Sequence, residues 1–456
     1  YNYNNYPSSA VFGTNDQVIR TKIWSTLDEK YKKATEQLGN KQSAIAQMEI
    51  PEDEKNIPDF EQRSASEYIY PTNSLTFDRK KMETYITEAS KVFKDYTELV
   101  ESNVRLYAGT VDVRYYNTEG TVCRYPNNLI ALFIYTKAQS ADGQEISKSR
   151  CLPYDSFEEM PSLEELQEIC RREGELMREK LAAQRVNETY VGPVLFEGEA
   201  VADIIEQLMV NESTGLLAKR KPVVSPDIKR YYSNHSSTNG NELEALLNKK
   251  EVSRDLTLTS LSGTPEYNGR RLFGYYPVDA QGVAPDKELV LIHDGVLKNM
   301  LTTRIPTKVF RKSNGHARIS IDGQGIFTLP GVLRLSSKET LSSQDLKKKL
   351  IDAAKEEDYD YAYIVRKLER NTAAELYRIN VKDGSEVMMR GALVKDMLLR
   401  AFKRVSGVSA EENIYNRIRQ DVKSTYIVPS AILFDEVDIV KDPQLTLKKN
   451  YIVDRP

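Results

Sequence analysis

Histidine is scarce in this 456-residue chain: His235, His293 and His316 are its only three. No two lie within five residues of each other, which excludes the HExxH arrangement that sets two imidazoles one helical turn apart on one metal. A zinc site gathered from all three carries little weight beside dispersed loop and strand positions, and His293, on an alternating strand, reads as structural. Cysteine is equally rare. Cys123, Cys151 and Cys170 are odd in number and form no CxxC pair, so neither a disulfide framework nor a thiolate zinc site is expected, and a reduced structural role fits. The nucleotide-binding patterns GxGxxG and GxxxxGK[ST] are missing, as is the GxSxG nucleophile elbow. No charge of one sign dominates: 64 Lys and Arg face 67 Asp and Glu, a net charge of −3, with no block that would mark a nucleic-acid or anionic-membrane surface. Long apolar runs are also missing. The longest, Leu129 to Tyr135, has seven residues, far short of the roughly 20 of a spanning helix, so a soluble chain is expected. It opens YNYNNYPSSA, without Met or an apolar leader, which leaves both a cytoplasmic and an exported location open.

What is present predicts two α+β domains, divided near residue 187 into 1–186 and 187–456. After a polar lead-in to about residue 17, Ile19, Ile23, Leu27, Tyr31, Ala34 and Leu38 recur at helical spacing and predict one long amphipathic helix. The segment Pro51 to Pro58 reads as an acidic loop, and Met82, Ile86, Ala89, Phe93 and Tyr96 predict a second helix over about 79–100. Alternation then takes over around Val104, Val111, Val113 and Leu129 to Tyr135, with turn residues between, which predicts an antiparallel meander. Ser162 with Glu165 is a capping box that opens a third helix, fading near Arg185. The second domain is expected to be largely antiparallel. Strands are predicted at 256–261, at 288–301 around an Asp294-Gly295 hairpin, at 331–337 and at 430–440, with helices at about 343–356 and 391–405.

Two places could carry chemistry. Glu197 and Glu199 flank Gly198 at the start of a helix whose Val201, Ile204, Ile205 and Leu208 share a face, and carboxylates there already suit the positive helix end without any catalysis. The segment Ser313 to Arg318 gathers Asn314, His316 and Arg318 around a glycine, as a ligand-contacting loop or a plain polar turn would. No particular serine is paired with a particular histidine.

GPVLFEGEAVADIIEQL (192–208), ELVLIHDGVLKNMLTTR (288–304), SNGHAR (313–318), VPSAILFDEVDIV (428–440) and YYNTEGT (115–121) together resemble the TldD/PmbA family, often titled modulator of DNA gyrase. The resemblance runs over nearly all of residues 100–456, and the first hundred resemble longer variants with an inserted helical segment. It implies a two-domain α+β protein working as a dimer, whose metal-bearing member cleaves unfolded peptides. In such members the helix after the GPVLF-like strand carries HExxxH: two histidines hold the metal, the Glu acts as base and a downstream Cys completes the site. Here Glu199 matches the Glu, but Gly198 and Asp203 stand at the histidine positions and no cysteine follows Cys170. The chain therefore resembles the metal-free PmbA (TldE)-like branch.

The leading expectation is a non-catalytic subunit without cofactor that binds peptides or unfolded segments. It would form a homodimer, or a heterodimer with a TldD-like subunit, and would contact neither nucleic acid nor membrane. Whether it is an enzyme stays open. The alternative is an active peptidase, with zinc as its cofactor, built around Glu199, Asp203 and His316; a third reading is a peptide-binding or assembly protein with no link to proteolysis.

Overall fold

The computed structural model describes residues 15–47, 50–72, 74–211, 213–221, 223, 240–320, 325–395 and 397–443. The N-terminal part runs α1 (Asp16–Gln47), α2 (Glu52–Lys55), β1 (Glu67–Ile69), α3 (Arg79–Ser90), β2 (Leu99–Tyr116), β3 (Val122–Gln139), β4 (Glu145–Tyr154) and α4 (Leu163–Ala182). The period-two runs form the expected meander, β2–β3–β4 antiparallel, with β1 added parallel to the start of β3. Its first turn is held by Asn117, whose Oδ1 accepts the Glu119 and Thr121 backbone N–H groups at 3.1 and 2.9 Å. Ala89, Phe93, Tyr96, Leu166, Cys170 and Met177 pack the helical layer onto one sheet face. The Ser162–Glu165 capping box opens α4 as expected.

Three expectations change here. The helix expected over 79–100 stops at Ser90; Lys91–Asp95 tighten into a 3₁₀ turn and Leu99 starts β2. Sheet pairing of β2 with β3 outweighs the local period, while Phe93 and Tyr96 keep their place in the core from the tightened turn. The acidic Pro51–Pro58 loop contains the single turn α2. Helix α1 forms, but its apolar stripe is not buried: Ile23, Leu27 and Tyr31 are 55, 63 and 73% exposed.

The C-terminal part begins with β5 (Gln184–Arg185), β6 (Tyr190–Glu197), α5 (Glu199–Met209), β7 (Leu256–Ser260), β8 (Glu266–Tyr267), β9 (Arg270–Arg271), β10 (Leu289–His293) and β11 (Val296–Leu297). It continues through β12 (Ala317–Ile319), β13 (Ile326–Thr328), β14 (Val332–Ser337), α6 (Ser343–Glu356), β15 (Tyr361–Glu369), β16 (Thr372–Asn380), β17 (Glu386–Arg390) and β18 (Ala392–Lys395). β19 (Val405–Val408), β20 (Glu412–Arg419), β21 (Val422–Pro429) and β22 (Ala431–Lys441) complete it. One sheet has the order β11–β10–β7–β14–β21–β20, antiparallel except for β14–β21. The other closes on itself, since β6 pairs β15 and β22, β15 pairs β16, β16 bridges β18 and β18 pairs β22. Between the two lies α5, and the core gathers its Val201, Ile204, Ile205 and Leu208 with Leu258, Leu333, Val365 and Phe434.

At the hairpin, His293 faces Val296, leaving Asp294 (φ 49°) and Gly295 (φ 79°) as a two-residue turn, which Asp-Gly suits because both residues tolerate positive φ. The helix expected at 391–405 is instead β18, a 3₁₀ turn at Leu399–Arg404 and the start of β19. Residues 392–395 satisfy their backbone along β22, a tertiary pairing that local pattern does not reveal. The N- and C-terminal parts are tied by Arg304, 1% exposed, which donates to the Glu61 carbonyl and the Glu119 carboxylate and lies 4.3 Å over the Phe60 ring.

Gly174 of α4 runs against the Tyr96 ring, where an added Cβ would lie 2.5 Å from ring carbons. The ring cannot retreat freely, because its hydroxyl bonds the Arg171 carbonyl and Glu175, both at 3.0 Å. Gly174→Ala should therefore lower stability by about 1–3 kcal/mol through overpacking, despite a helix-propensity gain of about 1 kcal/mol. Urea unfolding checks this, and a stabilised variant would contradict it.

Candidate functional site

The chain leaves β6 and enters α5 through Gly198, whose φ of 61° and ψ of −127° suit glycine and strain other residues. From that start, Glu199, Asp203 and Glu206 stand at i, i+4 and i+7. This puts three carboxylates in one stripe on a helix whose remaining surface, Gln207 apart, is apolar and buried. The stripe faces a cleft of about 1010 Å³. The opposite walls come from both parts of the chain: Lys148 and Arg150 on β4, Glu173 on α4, Lys367 on β15, Glu375 on β16, and Asn416 to Ile418 on β20.

Carboxylates at i and i+4 repel one another unless cations intervene, and here they do. The Lys367 ammonium lies 2.9 Å from Glu199 and 3.0 Å from Asp203. Arg417 reaches the same two carboxylates at 3.4 and 3.1 Å. Arg150 bridges from β4, donating to Glu173 at 2.9 Å and Glu199 at 3.1 Å, and Lys148 links Glu173 to Glu375 at 3.1 and 2.6 Å. The second Asp203 oxygen accepts the Leu368 backbone N–H at 3.0 Å, and Arg419 pairs with Glu206. Burial alone would raise the Glu199 carboxyl, but Lys367, Arg417 and Arg150 overcome it and hold the pKa at about 2. Burial prevails at Glu206, whose pKa is raised.

This arrangement is ill suited to proton abstraction at neutral pH. A general base works best with a pKa near 7, whereas protonating Glu199 would break three favourable charge contacts. Nor do the residues fit a metal of the kind HExxxH binds. Gly198 offers no ligand atom, and the oxygens of Glu199 and Asp203 are directed at one ammonium and two guanidinium groups. An added cation would meet these charges first. Among the described residues, no group of three or more His, Cys, Asp or Glu is placed to hold a metal ion.

The SNGHAR residues do not join Glu199. His316 is 1% exposed and lies outside the cleft wall. Its Nδ1 meets Asn314 Oδ1 at 2.9 Å, its Nε2 meets Ser260 Oγ at 3.0 Å, and Ser260 meets Ser262 at 2.8 Å. Ser262 in turn accepts the Gly331 and Val332 N–H groups. Burial, with help from Arg318, pulls the imidazole pKa down to about 3, so it is neutral. The Ser–His–Asn order has the pairing of a nucleophile, a base and an orienting group, but Ser260 is 1% exposed and its hydroxyl is spent on internal bonds. Asn314 is committed as well, taking the Thr302 N–H and donating to the Met300 carbonyl at 2.8 Å each, and Arg318 is 8% exposed. His293 is exposed, 3.7 Å from Asp294, rather than part of a packed core, and His235 lies outside the described residues.

Sequence reasoning singled out Glu199, Gly198 and Asp203 but missed the cations that define the site. A signal existed: Lys148 and Arg150, and Arg417 and Arg419, alternate at period two, so each pair shares one strand face.

Fold and site together define a two-part α+β protein whose central helix carries a charge-neutralised carboxylate stripe. The family profile described as PmbA/TldA metallopeptidase C-terminal domain matches residues 189–441. By that match, which spans more than half its length, the chain belongs to the PmbA/TldD family. No curated protein sequence matches it. Three solved structures share its fold. A Thermotoga maritima protein described as a candidate modulator of a DNA gyrase has TM-score 0.57 and 16% identity, over 84% of this chain and 80% of that one. TldE from Thermococcus kodakarensis has TM-score 0.52 and 14% identity, over 85% and 81%. A Bacteroides thetaiotaomicron protein, also described as a candidate modulator of DNA gyrase, has TM-score 0.53 and 12% identity, over 80% and 74%.

Glu199 has its pKa lowered from 4.5 to about 2, so its contribution to stability is present above pH 4.5 and is lost as pH falls from there toward 2. Glu199→Gln should flatten the fall of stability across that window. Lys367→Met should cost roughly 1–3 kcal/mol at neutral pH, less than a fully buried pair because its partners keep some contact with water. Denaturant midpoints measured across pH test both, and an unchanged acid slope in Glu199→Gln would contradict the assignment.

Proposed function

We propose that the chain is a non-catalytic, metal-free PmbA/TldD subunit that binds extended peptides or unfolded segments in the cleft. We infer further that it acts in a dimer, either with its own copy or with a metal-bearing TldD-like homologue that performs the cleavage. The observation that carries this reading is the pair of strands at the cleft. Within the described residues β4 pairs only β3 and β20 pairs only β21, the two strands approach each other without forming a ladder, and residues 149–151 and 416–418 of these strands line the cavity. An extended peptide satisfies an unpaired strand edge with main-chain hydrogen bonds. The volume stands at the upper end of the usual range of about 300–1,000 Å³, and a lining rich in charges of both signs suits a polar chain better than an apolar small molecule. Glu199, held ionised by three cations, supports binding rather than hydrolysis.

No helix among the described residues is long and apolar enough to cross a membrane, and the near-zero net charge gives no support to direct DNA contact. Incubated with zinc, the chain should leave an unstructured peptide mixture intact by mass spectrometry, while the anisotropy of a labelled peptide rises as the chain is added. Cleavage by the chain that Glu199→Gln abolishes would contradict the proposal.

A further inference from the structure

Behind the β20 wall lies a buried cation with no direct ion pair among the described residues. Arg318, at the centre of β12, is 8% exposed, with its guanidinium 3.7 Å over the Tyr276 ring. Its Nη2 donates to the Lys423 carbonyl at 3.3 Å, but Nη1 is buried with no hydrogen-bond partner. Burial makes the charged form costly, and a guanidinium does not escape by losing its proton near neutral pH.

Asp279 attracts Arg318 without bonding it, and the oxygens of the nearby carboxylates are directed at other donors. Asp279 gives Oδ1 to the Gln281 and Val283 N–H groups at 2.8 and 2.9 Å and Oδ2 to that of Ala317 at 3.0 Å. Asp155 is held by Lys423 at 2.6 Å. Among the described residues no ion pair reaches Arg318.

Space is kept beside it. A cavity of about 60 Å³ is lined by Arg318, Tyr125, Asn127, Tyr276 and Lys423, so both parts of the chain contribute walls. Gly331 leaves room at the head group, since a Cβ there would lie 2.9 Å from Nη1. The cavity is also next to the large cleft, because Lys423 pairs directly across β20–β21 with Ile418, a cleft-lining residue.

We propose that this pocket binds a carboxylate group, with Arg318 as its charged anchor. A planar guanidinium is shaped to donate to a carboxylate, and a cavity of this size takes such a group but not a side chain of any length. Two sources supply that chemistry: the C-terminal carboxylate of a peptide lying in the cleft, and a free small organic acid. The first source rests on the peptide-binding reading above; the pocket itself does not.

Two arms test it on the full chain. In the first, formate replaces a bulky sulfonate at constant ionic strength. The melting midpoint of the wild-type chain should rise by about 2 °C, and that of Arg318→Met should not respond. Should Arg318→Met fail to fold, Arg318→Lys, which keeps the charge without the fork, should show a reduced response. In the second arm, a labelled unstructured peptide is compared as free acid and as C-terminal amide. The acid should bind about tenfold tighter, a ratio that falls to about one in the Arg318 variant. A formate response without an acid preference assigns the pocket to free small acids. No formate response together with equal binding of acid and amide overturns the pocket while leaving peptide binding in place. Absence of binding by either peptide removes the peptide reading, and the formate arm then decides the pocket alone.

Discussion

The Lys367 ammonium between Glu199 and Asp203 is the contact around which the cleft is organised. A helix packed between two sheets can expose very little of itself, and α5 spends its small exposed stripe on three carboxylates. Such a stripe is tolerable only if its charge is balanced in place. Lys367 and Arg417 supply that balance from the surrounding strands, and Arg150 supplies it from the N-terminal part. These contacts together fix the electrostatics of the cleft, and the Arg150–Glu199 pair ties β4 to α5.

This arrangement separates the chain from what HExxxH chemistry needs. With Gly198 bare of ligand atoms and Asp203 bonded to an ammonium, a guanidinium and a backbone N–H, the positions that would bind metal are filled by fixed cations. What persists is a large polar cavity bordered by β4 and β20, on which the proposed binding of an extended chain rests. The buried Ser260–His316–Asn314 series shows why residue types alone mislead: its distances suit catalysis, and its burial denies access to substrate.

Much of the fold was legible because local signals and tertiary packing agree. The Ser162–Glu165 box, the Asp294–Gly295 turn, the 343–356 helix and the alternation through Leu129 to Tyr135 all stand where the pattern placed them. Legibility failed where a distant partner decides. Residues 392–395 read as helix until β22 is known to lie beside them, and residues 91–100 read as helix until β3 captures Leu99. At the site, the carboxylates and the missing histidines could be read directly along α5. Arg150, Lys367 and Arg417 could not, because each meets Glu199 only through long-range folding, over separations of 49, 168 and 218 residues. The α1 stripe shows the converse: a clear amphipathic period whose apolar face remains exposed within this chain.

The central claim is that fixed cations, not a metal, neutralise the α5 carboxylates. Zinc titration by calorimetry, comparing the wild-type chain with Asp203→Asn, tests it most directly. The account predicts isotherms that do not differ, because both Asp203 oxygens already accept from fixed donors and two cations stand where zinc would approach. A zinc site in the wild-type chain that Asp203→Asn removes would contradict it.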